Sequence, residues 1–174
     1  MSILICKSCG GDLEINASAT VGTCTFCNTK QTLPKSGNEV LDNLFNRANA
    51  LRLKGDFDKA ERVYEKILQE NEAEPEAHWG MVLCKYGIEY VEDPKTFKRI
   101  PTCHRTSYDA VTTDADYLAA IEHADAVQKG IYEAEAKAIA QLHPDIINPE
   151  PTELIGGSGG GVSDMSYVKE VMQA

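Results

Sequence analysis

Four cysteines in two short knuckles, Cys6-Lys-Ser-Cys9 and Cys24-Thr-Phe-Cys27, constrain this chain more than any other feature. A C-x-x-C pair sets two thiolates within reach of one cation. Two such pairs complete the tetrahedral all-cysteine shell typical of one structural zinc ion. A closed shell leaves no position for water, so it folds a protein rather than catalysing a reaction. Gly10 and Gly11 follow the first pair and Asn28 follows the second. Both residue types accept the left-handed backbone that lets amides face the sulfurs. Ile3, Leu4 and Ile5 read as a short strand, and Leu13, Ile15, Val21 and Thr23 as more strand. A ribbon over residues 1–35 is too small to bury an adequate core, so metal ligation replaces the missing hydrophobic energy. A pair of disulfides is the competing reading, and a redox C-x-x-C pair is another. The chain opens without a signal-peptide pattern, which points to the cytoplasm, where disulfides are rare.

The length of 174 residues suits one ordinary domain or two small ones, and the formal net charge is -10. Such a balance repels a phosphate backbone, which disfavours nucleic acid as a partner. The ribbon departs slightly from it, with Lys7, Lys30 and Lys35 against Asp12 and Glu14. No apolar run approaches the length of a membrane span.

Helical periodicity begins after the break at Pro34–Gly37 and defines a helical domain over 38–143. One stripe is Leu41, Leu44, Phe45, Ala48 and Leu51. A second is Phe57, Ala60, Val63, Tyr64, Ile67 and Leu68, beyond a turn at Gly55-Asp56. So short a turn makes the two helices antiparallel. Leu44, Ala48, Leu51, Gly55, Phe57, Ala60, Tyr64 and Ile67 are similar to a tetratricopeptide repeat, in which a helix pair recurs about every 34 residues. A generic helical hairpin is the plainer reading. A third helix is expected from Glu76 through Ile88, with Pro75 in its first turn, Gly80 at a close contact and Trp79 in the core. The expected fold class is therefore mostly α, a four-cysteine zinc ribbon followed by a tetratricopeptide-like bundle.

Residues 91–113 carry two prolines and no helical period, which predicts a long loop. Lys95, Lys98, Arg99, His104 and Arg105 gather there as cations in an acidic chain. They form either a docking surface for an anionic or peptide partner or a loop paired with helix carboxylates. Thr113 or Asp114 caps one long helix expected from Tyr117 to Leu142, and His143-Pro144 stops it. Pro144, Pro149 and Pro151 make 144–155 extended. Residues 156–161 read as a flexible linker of the kind engineers insert. Over 162–174, Met165, Val168, Val171 and Met172 share one helical face. That segment reads as a tethered helical peptide, with a natural linker sequence or a functionless scar as alternatives.

The ribbon, the repeat-like helix pair and two stretches, PEAHWGMVLCKYGIEYVEDP and RIPTCHRTSYDAVTTDADYLAAIEHAD, resemble the N-terminal region of bacterial Toll/interleukin-receptor (TIR) domain proteins. The resemblance covers residues 1–140, and Pro101–Thr106 is its most specific part. It implies a sensor, scaffold or self-association module that controls an attached effector. The TIR sequence itself is not in this chain, so nucleotide-hydrolysing activity is not assigned to it.

The leading functional reading is a non-enzymatic adaptor that binds a protein or a helical peptide. One alternative is a nucleic-acid-binding ribbon in which Phe26 stacks on a base and Lys7 and Lys30 meet phosphate. Another is a part of an NAD-processing TIR effector whose catalytic domain is missing here. As an enzyme the chain would need Cys103-His104 as a nucleophile pair, with Cys84 or His123 nearby. Neighbours on an extended segment point to opposite sides, which argues against the pair. A second metal site from Cys84, Cys103 and His104 has the right residue types. No glycine-rich phosphate loop is present.

Overall fold

The computed structural model describes residues 2–15, 19–35, 38–105 and 109–142. The expected extended segment, the linker and the peptide face at Met165, Val168, Val171 and Met172 lie outside the described residues. The ribbon consists of two antiparallel hairpins, β1 (Ser2–Ile5) with β2 (Asp12–Ile15) and β3 (Val21–Thr23) with β4 (Lys30–Thr32). Ile5 pairs with Asp12 and Thr23 with Lys30, so each knuckle lies in the turn between its strands. Leu4, Leu13, Ile15 and Leu33 join the cysteines in a small buried cluster.

Three helices follow: α1 (Glu39–Leu53), α2 (Phe57–Glu70) and α3 (Pro75–Lys85). Asn38 caps α1 by accepting hydrogen bonds from the Val40 and Leu41 amides. Gly55 ends it with φ of +84°, a conformation that costs glycine little. Phe45 and Ala48 of α1 pack against Phe57, Ala60, Tyr64 and Ile67 of α2, and α3 closes this cluster through Ala77 and Cys84. A Cβ on Gly80 would collide with the Tyr64 ring, so glycine is what allows α2 and α3 to approach. The opposite side of α3 belongs to a second cluster. Trp79, fully buried as expected, lies 5.3 Å from the Tyr132 ring and 6.3 Å from that of Tyr117, centroid to centroid.

Three expectations are corrected. First, α3 stops at Lys85 rather than Ile88. Gly87 takes φ of +60° and packs against the Arg105 backbone, which ends the helix. Second, much of the expected loop is a β-hairpin. Strand β5 (Ile88–Glu92) pairs antiparallel with β6 (Arg99–Cys103), and Tyr90 stands opposite Pro101. A two-stranded ladder has free edges, so proline's missing N–H is tolerated there. Third, the expected long helix is two, α4 (Ala115–His123) and α5 (Ala126–Ala140). Asp125 breaks the run with a capping box. Its side chain accepts from the Gln128 amide while Gln128 accepts from the Asp125 amide. The fold is thus helix-rich with three short antiparallel ladders, not purely a helical bundle behind a ribbon. Among the described residues, no helix is long and apolar enough to cross a membrane.

The ribbon is bound to the helices by a buried polar network. Lys7 Nζ lies 2.8 Å from Glu76 Oε2 on α3, with both side chains under a tenth exposed. Thr32 and Tyr132 hydroxyls donate to the other Glu76 oxygen at 2.6 and 2.7 Å. Arg52 of α1, fully buried, donates from Nη2 to the Lys7 carbonyl at 2.7 Å. Gln128 of α5 donates to the Leu33 carbonyl at 3.0 Å. Asn46 of α1 accepts from the Ile5 amide and donates to the Ile3 carbonyl. The ribbon keeps its own small apolar core but is tied to α1, α3 and α5 through these bonds, so an independently unfolding ribbon is not what this packing supports.

Candidate metal centre

Each knuckle is built the same way. The Cys6 amide donates to the Gly11 carbonyl and the Gly10 amide returns to the Cys6 carbonyl. The second knuckle repeats this with Cys24, Thr29 and Asn28. Gly10 and Asn28 hold the equivalent left-handed positions, φ of +82° and +60°, as their residue types foretell. The amides of Ser8, Gly11 and Phe26 then point at the Cys6, Cys9 and Cys24 sulfurs from 3.3, 3.4 and 3.3 Å. Gln31 adds a side-chain donor 3.1 Å from Cys6 Sγ and accepts from the Lys7 amide. Thr29 Oγ1 lies 3.1 Å from Cys27 Sγ. Hydrogen bonds to sulfur orient the ligands and offset thiolate charge.

The four sulfurs all lie within 4.8 Å of one another, with Cys6–Cys27 and Cys9–Cys24 separations of 3.7 Å. A disulfide requires about 2.05 Å, so all four cysteines are free. A tetrahedral ion with metal–sulfur bonds of about 2.3 Å has sulfur–sulfur edges of about 3.8 Å. The cluster therefore fits one tetrahedral ion, and four thiolates fill its coordination.

Two of the cluster's thiols are shifted in opposite directions. Burial and its neighbours push the Cys9 thiol up to about 12. At Cys6, burial is outweighed by donors from Gln31, Cys9 and Ser8, and the thiol falls to about 7. A divalent cation at the centre favours the thiolate form of each ligand.

The other candidate residues are dispersed. Lys95 and Lys98 are exposed near the tip of the β5–β6 hairpin, and Arg99 Nη1 donates to the Tyr90 carbonyl at 3.4 Å. His104 Nε2 sits 2.9 Å from Glu89 Oε1. Arg105 is a strut that binds the Asp58 carboxylate and the Cys84 carbonyl while its guanidinium lies 5.4 Å over the Phe57 ring. Arg105 holds the Asp58 carboxyl below its ordinary range. The five cations therefore form no single patch, since His104 and Arg105 are already paired with carboxylates. Cys103 Sγ donates to the Tyr86 and Arg105 carbonyls, away from the His104 ring, and burial raises its thiol. Burial pushes Cys84 up to about 12. Among the described residues the four-cysteine cluster is the one metal-capable group. Lys7, which the nucleic-acid reading placed on phosphate, is only 6% exposed and is spent on Glu76.

Sequence reasoning missed the acidic residues behind the ribbon. Glu74 caps α3, accepting from the Glu76 and Lys35 amides. It is 1% exposed, and burial, reinforced by the Glu76 charge, pushes its carboxyl up to about 7 from 4.5. An acid whose folded pKa is raised takes up a proton on folding between those two values. Its contribution is complete below pH 4.5 and is lost as pH rises through about 7. Glu74→Gln should therefore remove a stability gain of about 1 kcal/mol expected in the native chain as pH falls from about 8 to about 6, above the range in which protonation strips a thiolate cluster of its metal. Denaturant melts of the two metal-loaded proteins at both pH values check this. Parallel pH profiles would contradict it.

Comparison with protein-family models, curated proteins and solved structures finds no match to this chain.

Proposed function

We propose that this chain is a zinc-stapled binding module, a non-enzymatic adaptor or sensor for a protein or helical peptide that regulates an attached effector. Zinc is the ion assigned to the cluster because it prefers tetrahedral thiolate shells and carries no redox chemistry of its own. The resemblance to the region preceding TIR domains supports the regulatory part of the reading, and self-association is compatible with it.

The observation that carries the binding role is a groove along α1 and α2. It has a volume of about 470 Å³ and is lined by Val40, Leu41 and Leu44 on one side and by Lys66, Gln69 and Glu70 on the other. Val40 is 68% exposed, a large apolar side chain left in water at the start of α1. Apolar anchors flanked by charged residues suit the apolar face of an amphipathic helix, the usual occupant of such grooves. The α1–α2 pair, with small Ala48 and Ala60 buried in its shared core, supports the tetratricopeptide-like reading, a scaffold type whose surfaces commonly bind peptides.

The test is a titration of labelled VSDMSYVKEVMQA, residues 162–174, into protein ending at Ile155. Saturable binding that Val40→Glu weakens at least about tenfold, or about 1.4 kcal/mol, is the expected result. Absence of saturation at high micromolar peptide would remove this partner, as would binding indifferent to Val40→Glu.

A further inference from the structure

A second cleft opens where three separated parts of the chain meet. The ribbon supplies Lys30 and Gln31, the β5–β6 hairpin supplies Tyr90 and Arg99, and α5 supplies Ala134 and Glu135. Its volume is about 230 Å³, below the roughly 300–1,000 Å³ of pockets for drug-sized ligands. That size suits a single-ring molecule. Ala134 and Ala138, one turn apart on α5, leave the space open, and Leu83 and Pro101 add apolar wall.

The charges are arranged for an anion. Lys30 on β4 and Arg99 on β6 line the same cleft, and neither forms an ion pair among the described residues. This is a chain with 27 acidic and 17 basic residues, so carboxylates to neutralise them are plentiful elsewhere. Arg99, which also donates to the Tyr90 carbonyl, and exposed Lys30 bring two cations to one cleft, and an anion there gains from both. Lys7, the third cation of the lining, is already neutralised by Glu76. The one acid in the lining, Glu135, lies 3.3 Å from the Tyr90 hydroxyl, and burial drives its carboxyl toward the neutral form. The buried indole N–H of Trp79 lies next to Glu135, behind the lining of the cleft. Convergent polar groups around an apolar cavity are how small-molecule sites are built.

We propose that this cleft binds a small single-ring organic anion, a carboxylate or a phosphate monoester. Its charged head lies between Arg99 and Lys30, and its ring rests on Pro101, Ala134 and Ala138. The site is separate from the α1–α2 groove and does not depend on the adaptor reading.

Benzoate and phenyl phosphate are the probes, titrated into the metal-loaded full chain and followed by amide and indole NMR. Trp79, the single tryptophan, gives one indole signal beside the site. Saturable shifts of that signal and of hairpin and α5 amides are expected with at least one probe, and comparison of the two identifies the preferred head group. Arg99→Ala should weaken binding at least about tenfold. Ala134→Leu, at an exposed α5 position where folding is unaffected, should abolish binding by filling the space. Lys98→Ala, on the exposed hairpin tip, should change little. Failure of both probes to shift these signals at millimolar concentration overturns the proposal. So does unchanged binding in Ala134→Leu, or a loss in Lys98→Ala equal to that in Arg99→Ala.

Discussion

Replacing Cys9 with serine should unfold the helices as well as the ribbon. A four-thiolate zinc site contributes on the order of 10–16 kcal/mol at neutral pH, and the whole margin of a domain is about 5–15 kcal/mol. Removing one ligand therefore costs an amount comparable to the entire stability. The loss is not confined to the knuckles, because Cys6 is bonded to Gln31, Gln31 to the Lys7 amide, and Lys7 to Glu76 in the first turn of α3. Arg52 on α1 loses its Lys7 carbonyl partner at the same time. Far-UV circular dichroism of Cys9→Ser, with metal content measured alongside, is the check. Loss of most helical signal together with the metal is expected. A metal-free variant with native helicity would show that the helical part stands alone.

The second large effect concerns the buried ion pair. Lys7→Met keeps the stem and removes the charge, leaving the Glu76 carboxylate buried against Thr32 and Tyr132 without its cation. Breaking one side of such a pair costs about 3–5 kcal/mol, whereas replacing both partners is often close to neutral. Lys7→Met combined with Glu76→Gln should recover much of the loss, because glutamine still accepts from the Thr32 and Tyr132 hydroxyls. A coupling of at least about 2 kcal/mol in this double-mutant cycle is expected from chemical denaturation of metal-loaded protein. Strict additivity would mean that Lys7 and Glu76 act separately and that the link between ribbon and α3 is weak.

The sequence carried much of this in readable form. The C-x-x-C spacing, Gly10 and Asn28 define the metal cluster locally, since every ligand sits beside its own turn. The α1–α2 pair was equally legible from Phe45, Ala48, Phe57, Ala60 and Tyr64, because periodicity reports a helix face directly. What it obscured were the places where an apolar stripe runs across a break. The α4–α5 stripe continues through Ala124, yet Asp125 and Gln128 stop and restart the helix, and that capping-box spacing was a usable signal. Gly87 likewise marked the end of α3, although Ile88 keeps the stripe alive. Pro94 and Pro101 masked the alternation of the β5–β6 hairpin, where one sits in the turn and the other on an edge strand. The Lys7–Glu76 bond was not legible at all. It joins residues 69 positions apart, and no local pattern reports that the lysine beside a metal ligand turns inward.

The central claim is that one tetrahedral metal ion holds the ribbon and the helical body together as a single folding unit. Hydrogen exchange of the α3 and α5 amides, compared between metal-loaded protein and protein stripped by a chelator with its thiols kept reduced, tests it most directly. Collapse of protection in both helices together with the ribbon is the predicted result. Protection lost only in residues 2–35, with α3 and α5 unchanged, would contradict it.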